Sequence, residues 1–160
     1  MTSAAPAAVT VFFNMMTSAF ASDTTMQVYF GAELSPFVAP KILQILGVNH
    51  GDQQPAEMGP SYRREEQFHI NCKLTSYAGD QGNAAFLTRM NECYAAFAII
   101  EKAIGNNPWL SVSGNNDSTN TVRYAEIATY DFMPEITDKA GSVGEIDFSI
   151  FCSQRITSLT

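Results

Sequence analysis

The sequence is poor in charged residues. Only 16% of its 160 residues are Asp, Glu, Lys or Arg, against about 25% in an average soluble protein. The 9 basic residues are outnumbered by 16 acidic ones, which gives a formal net charge of −7. Proteins that hold nucleic acid neutralise phosphates with Lys and Arg, so this balance disfavours a DNA-gripping protein, although not an acidic protein that DNA passes. A surface short of charge suggests that other chains cover part of it; the alternative is that Asn, Thr, Ser and Gln replace the charges.

Recognisable catalytic and metal-binding motifs are absent as well. The histidines are His50 and His69, and the cysteines Cys72, Cys93 and Cys152 form no C-x-x-C pair. No phosphate-binding glycine loop, nucleophile elbow or H-E-x-x-H helix occurs. The carboxylates are spread along the chain, so the sequence identifies no catalytic pair. We therefore expect a protein that is not an enzyme and uses no cofactor or metal, with its thiols reduced and buried.

Long apolar runs are also missing. No run reaches the ~18 residues that a membrane span needs, so we expect no membrane association. The segment AAVTVFFNMM followed by AFA-SD imitates a signal peptide, but it has no basic residue before Lys41 and is interrupted by Asn14. We interpret it as a helix from Ser3, which can act as N-cap, to about Ala21. Apolar residues at three- and four-residue steps predict its buried stripe: Val9, Phe12, Phe13, Met16 and Phe20.

What the sequence does contain is a set of five strand-like segments. They are residues 26–31, 41–48, 65–76, 121–132 and 145–156. In the third and fifth segments, apolar and polar residues alternate almost perfectly, which is typical of strands with one buried face. We expect the buried face to include Phe68, Ile70, Phe148 and Ile150.

A second helix is predicted between the third and fourth strands. Asp80 can cap it, and Gly105 and Pro108 suit its end. The order α-β-β-β-α-β-β predicts a single α+β domain over residues 1–160, with a mixed, mostly antiparallel sheet of about five strands and two helices on one face. The apolar seam of this helix is expected to comprise Phe86, Met90, Cys93, Phe97, Ile100 and Ile104.

Two connections are long and rich in Gly and Pro. They cover residues 49–62 and 133–144, and we expect both to be contact segments that are mobile in the free subunit. In and just after the first connection, we select five candidate interface residues: Asp52, Met58, Tyr62, Arg63 and Arg64.

Taken in this order, the segments resemble the tail terminator (tail completion) proteins of long-tailed, non-contractile bacteriophages of actinobacteria. The similarity is carried by VYFGAEL, RREEQFHINCKLTSYAGD, FLTRMNECYAAFAIIEKAI, NNPWL, VRYAEI and GEIDFSIFCSQRI. The resemblance implies a virion protein, assembled in the host cytoplasm, whose copies form a ring, typically of six. Such a ring caps the tail tube, ends tube polymerisation and docks to the head–neck connector or head-completion protein. DNA passes through it without sequence-specific binding.

If the protein forms such a ring, we expect its channel wall to be acidic rather than basic. Basic walls would grip phosphates, whereas repulsion from acidic walls is short-ranged at physiological salt. The candidates are Asp131, Glu135, Asp138 and Glu145, and an ordinary solvated turn is the alternative reading of these four. Alternatives for the whole protein are another neck, head-completion or tail-tube subunit, a small enzyme of unknown chemistry, and an acidic DNA mimic.

Overall fold

The protein is an α+β domain with two helices and a mixed, mostly antiparallel sheet, as the sequence predicts. The computed structural model describes residues 3–31, 39–51, 54–55, 63–136 and 141–157. The elements in chain order are α1 (Ala5–Ala19), β1 (Met26–Phe30), β2 (Lys41–His50), β3 (Gln54–Pro55), β4 (Arg63–Ala78), α2 (Asn83–Asn106), β5 (Tyr124–Ile136) and β6 (Ser142–Thr157).

The sheet is built around two long central strands. Its strand order is β1-β2-β4-β6-β5, and the two-residue β3 pairs with the start of β4. Strands β4 and β6 each have 16 residues and pair antiparallel along their whole length. Only β1 and β2 run parallel among the described pairs. The strands at the two edges, β1 and β5, each pair on one side alone within the described residues.

Both helices pack on the same face of this sheet. Helix α2 contacts β4, β6 and β5, and α1 lies beside α2 and contacts β1. The four core residues predicted from the alternation of β4 and β6 are all buried, which confirms that prediction. The ring of Phe148 meets the ring of Phe97 from α2 edge-on, with centroids 5.3 Å apart. Aromatic and aliphatic burial between sheet and helices therefore holds the domain together.

The prediction that residues 133–144 form a connection between strands is wrong at both ends of this segment. Strand β5 continues to Ile136 and β6 begins at Ser142, so Met133 pairs with Glu145 and Pro134 with Gly144 in an extended hairpin. In the other predicted connection, β2 continues to His50 and β3 occupies residues 54–55.

A β-bulge reverses the faces of β5. The register with β6 shifts between Ile127 and Thr129, which leaves Ala128 as an extra residue. Because one extra residue inverts the alternation that follows it, Tyr124 and Tyr130 lie on opposite faces. Simple alternation along the strand would place both tyrosine side chains on the same face of the sheet.

The buried face of α2 is rotated relative to the predicted seam. Arg89 is buried, although the sequence placed it on the outer side, and Ala85 is buried, while Phe86 and Met90 are only half-buried. The guanidinium of Arg89 lies 3.4 Å from the carboxylate of Glu92. Its stem packs where β6 has Gly144, the residue whose missing side chain makes room for α2.

Helix α1 is anchored at its N-terminus by a distant carboxylate. Glu66 of β4 is fully buried and accepts hydrogen bonds from the Ser3 hydroxyl and from the Ala4 backbone N–H, at 2.8 Å in the second case. The N-cap residue is Ala4, so the prediction that Ser3 caps the helix is wrong by one position; Ser3, just before it, accepts from the Ala5 N–H at 3.1 Å. A negative charge at a helix N-terminus satisfies unpaired N–H groups and interacts favourably with the helix dipole.

Candidate functional site: the uncovered face of the sheet

The face of the sheet opposite the helices is covered by neither helix and is mostly polar. On β4 it carries the side chains that alternate with the core residues, from Glu65 to Thr75, on β6 those from Glu145 to Arg155, and on β5 the residues in register with these. We call this surface the open face. The rings of His69 and Phe151 meet across the strands with centroids 5.4 Å apart.

The open face has an acidic surplus. The strand register also places Arg63 and Glu135 on it; among the residues whose side chains the structure describes, five acidic ones lie on it against two from Lys and Arg. The basic ones are Lys73 and Arg155. The acidic ones are Glu65, Glu126, Asp131, Glu145 and Asp147. The field over this face therefore repels anions at long range more than it attracts them.

The charges at the centre of the open face are partly compensated. The Lys73 ammonium lies 2.8 Å from the Glu145 carboxylate and 3.9 Å from Asp147. The pKa of Asp147 is raised, first by burial, and further by the nearby charges of Glu145 and Asp131, while Lys73 acts in the opposite direction. Its Oδ1 is buried without a hydrogen bond. Carboxylates that lie near one another disfavour each other's charged form, which adds to the effect of burial at Asp147.

The thiols contribute no reactive group to this face. Cys72, Cys93 and Cys152 are all buried and unpaired, as the sequence predicts. Burial raises the pKa of Cys93 to about 11 and that of Cys152 to about 12, and it raises the pKa of Cys72 further. A thiol needs to ionise to act as nucleophile or metal ligand, so these three act as small core residues at neutral pH.

Two of the four predicted channel residues lie together on the open face. Asp131 on β5 is exposed, and Glu145 on β6 is half-buried and paired with Lys73. Glu135 lies in β5, in register with Val143, and Asp138 falls outside the described residues. Asp147 and Lys73 were not among the predicted site residues, although the alternation of β4 and β6 places both on the polar side.

The predicted interface residues are described only in part. Arg63 and Arg64 are the first residues of β4, in register with Thr157 and Ile156. The other three candidates, Asp52, Met58 and Tyr62, lie outside the described residues.

Neither a metal site nor a membrane-spanning helix is found among the described residues. Within the described ranges, no three His, Cys, Asp or Glu side chains are grouped so that they could hold a metal ion. In the same part of the chain, neither helix has the length and apolar character that crossing a membrane requires.

Comparison with known proteins finds no protein-family model and no curated protein that matches this chain.

Proposed function

We propose that the protein is a structural subunit of a phage tail whose copies form a ring that caps the tail tube, with DNA passing through. The observation that carries the proposal is the division of the sheet into a helix-covered apolar face and an open, acidic face. Its ring, typically of six copies, ends tube polymerisation and offers a docking surface to the head–neck connector or a head-completion protein.

The layered architecture suits a ring with the open face inward. Strands β1 and β5 lie at opposite edges of the sheet, so copies joined edge to edge would continue it. A helix layer adds about 10 Å of thickness to one side of each subunit. That thicker side fits the larger, outer circumference of a ring, and the open face then lines the channel.

The charge of the open face suits passage of DNA. Phosphates meeting Lys and Arg release counterions and bind, whereas an acidic wall gives no such gain. The Debye length of ~8 Å at physiological salt confines the repulsion to a thin layer near the wall. DNA in the middle of a wide channel would therefore be neither held nor excluded.

The direct test is to image the purified, unmodified protein by negative-stain microscopy and to weigh it by native mass spectrometry. We expect closed rings of one size, with a central opening, whose subunit number does not change with concentration. Filaments that lengthen with concentration would instead indicate a tube subunit. A monomer at every concentration would overturn the proposed ring.

The charge of the channel gives a second test. The double variant Glu126→Lys, Asp131→Lys changes two exposed residues of the open face on β5. We expect its rings to bind linear duplex DNA in a gel-shift assay at low salt, with affinity that falls steeply as salt rises. The unmodified rings should bind at least about tenfold more weakly. A control with equal charge change at exposed positions of α2, Ala84→Lys, Thr88→Lys, Asn91→Lys, Ala95→Lys, should leave channel binding unchanged. Equal binding by both variants would contradict an inward open face.

A further inference from the structure

The surface of α1 carries no charge. The first charged residue of the chain is Asp23, so no residue of the 15-residue helix is acidic or basic. At the average frequency of about 25%, roughly four would be expected. Two exposed hydroxyls, of Thr10 and Thr17, donate to the Pro6 and Phe13 carbonyl oxygens at 2.9 Å in each case. They thus need no outside partner, and α1 presents an uncharged surface to its surroundings.

Two grooves extend this uncharged surface on either side of α1. The first has a volume of about 560 Å³ and runs between α1 and the β1 edge. The second, of about 780 Å³, runs between α1, the end of α2 and the turn that carries Val112, which is 74% exposed. Neither groove is lined by any described Asp, Glu, Lys or Arg. The first is lined by Pro6, Val9, Phe13, Phe30, Val48 and His50, among others.

The edge strand beside the first groove also lacks residues that would hinder its pairing with a strand of another chain. Edge strands of soluble proteins are usually guarded by charged residues or Pro. Strand β1, with the sequence MQVYF, has neither, and its last residue, Phe30, is 64% exposed. We call α1, its two grooves and β1 together the uncharged edge.

A second surface, which carries exposed apolar side chains, lies at the other edge of the sheet. Tyr94 of α2 and Tyr130 of β5 are 42% and 50% exposed, and Leu87, two turns before Tyr94, is 56% exposed. The Tyr94 ring contacts Phe132 at 5.8 Å between centroids, and the Tyr130 ring contacts Phe97 at 4.9 Å. Met90 lies on the same helical stripe as Leu87 and Tyr94. We call Leu87, Met90, Tyr94, Tyr130 and Phe132 the β5 ridge; none of them is charged.

The net charge indicates where copies of this chain can touch. Two subunits of net charge −7 repel one another, so contact between them is least unfavourable where both surfaces are free of charge. The uncharged edge and the β5 ridge meet this condition, whereas the open face, with its five acidic side chains, does not. Tyr and Met, which the ridge presents, are also residues enriched in the cores of protein interfaces.

We propose that the uncharged edge of one subunit receives the β5 ridge of the next copy of this chain. The two surfaces lie at opposite edges of one sheet, so they can meet only between copies. Two different patches on each subunit make a head-to-tail contact, which closes into a ring when the rotation is right. This inference rests on the ring proposed above and names the surfaces that join its subunits.

The first test places one charge on each helix. Thr10 is exposed and lines both grooves, so Thr10→Glu puts a carboxylate in the middle of the proposed contact. We expect the concentration at which rings dissociate to rise about 30-fold or more, because a buried, unpaired charge opposes association. Ala95→Glu adds the same charge on the exposed side of α2, off the helical stripe of the ridge and outside both grooves, and should not change assembly. Circular dichroism and urea unfolding of both variants would show that each subunit is folded.

The second test identifies what covers the uncharged edge. Thr10→Cys and Tyr130→Cys subunits, given tags of different size, are co-expressed and treated with a short bismaleimide; the three native thiols are buried. We expect one mixed cross-linked dimer, and no cross-link within either variant alone. A Thr10→Cys dimer would overturn the inference in favour of a symmetric α1–α1 contact.

The outcomes separate this inference from the proposed function. Rings of the unmodified protein, together with unimpaired assembly of Thr10→Glu and no mixed cross-link, would overturn the inference and leave the ring intact. In that case the uncharged edge would face another protein. A monomeric unmodified protein would overturn the ring itself, and the subunit contact with it.

Discussion

The two faces of the sheet differ in the burial and in the polarity of their side chains. On β6, Phe148 is buried against α2, while Phe151, three residues later, lies on the open face beside His69. On β4, Glu66 is fully buried at the start of α1, while its neighbour Glu65 lies on the open face and accepts from the Ser153 hydroxyl at 2.8 Å. The helix-covered face forms the hydrophobic core of the domain, and the open face does not.

The open face is therefore expected to contribute little to the free energy of folding. Its side chains are polar or half-exposed and exchange water for one another at small gain. Its composition is therefore not fixed by folding, because the core face alone supplies the burial that folding needs. Paired substitutions on the two faces test this directly.

The largest difference is expected between two phenylalanines of β6. Phe148→Ala should lower the free energy of unfolding by about 3–5 kcal/mol, the range for truncation of a buried aromatic side chain. Phe151→Ala should cost about 1 kcal/mol or less, because its ring is half-buried on the open face. Urea denaturation followed by circular dichroism measures both. Losses of equal size would mean that the open face is also a folding core.

The next largest difference is expected between two adjacent glutamates. Glu66→Gln removes the buried charge that holds the Ala4 N–H and the Ser3 hydroxyl, and it should cost about 1.5–3 kcal/mol. Glu65→Gln should change stability by less than about 0.5 kcal/mol. Hydrogen exchange at the first turn of α1 would increase in the first variant alone. If that turn stayed equally protected in both variants, Glu66 would not anchor the helix.

The smallest effect is expected at Asp147, and it depends on pH. Because the pKa of this carboxyl is raised in the folded protein, the native state binds its proton more tightly than the unfolded chain does. The contribution of Asp147 to stability therefore falls as pH rises from its ordinary value of 3.8 through the raised folded value. Asp147→Asn removes this dependence.

At neutral pH the Asn variant should be more stable by up to about 1 kcal/mol, a modest gain because the side chain is 42% exposed and solvent screens it. The gain should shrink when unfolding is repeated near pH 4. Glu101→Gln, exposed on α2 and outside this group of carboxylates, is the control for loss of one negative charge. A gain at Asp147 that did not change with pH would contradict this account.

Much of the fold could be predicted from periodicity alone. Alternation over 65–76 and 145–156 assigned the buried faces of β4 and β6, and three- and four-residue steps assigned the stripe of α1, of which Phe13 alone is only half-buried. Those signals are local, since the side-chain direction of a strand or helix residue follows from its position in the element. The polar side of the same alternation contained most of the open face.

What the sequence determined by itself is therefore which side chains point the same way within each element, and that the whole is an acidic α+β domain without a catalytic motif. Only the tertiary structure decided the strand order, the bulge at Ala128 that turns Tyr130 toward α2, the burial of Arg89 beside Gly144, and the anchoring of α1 by Glu66. It also decided that the uncharged helix lies at one edge of the sheet and the β5 ridge at the other. The physical reason is separation along the chain: Ala4 and Glu66 are 62 residues apart, and no local pattern specifies which distant groups meet when the layers pack.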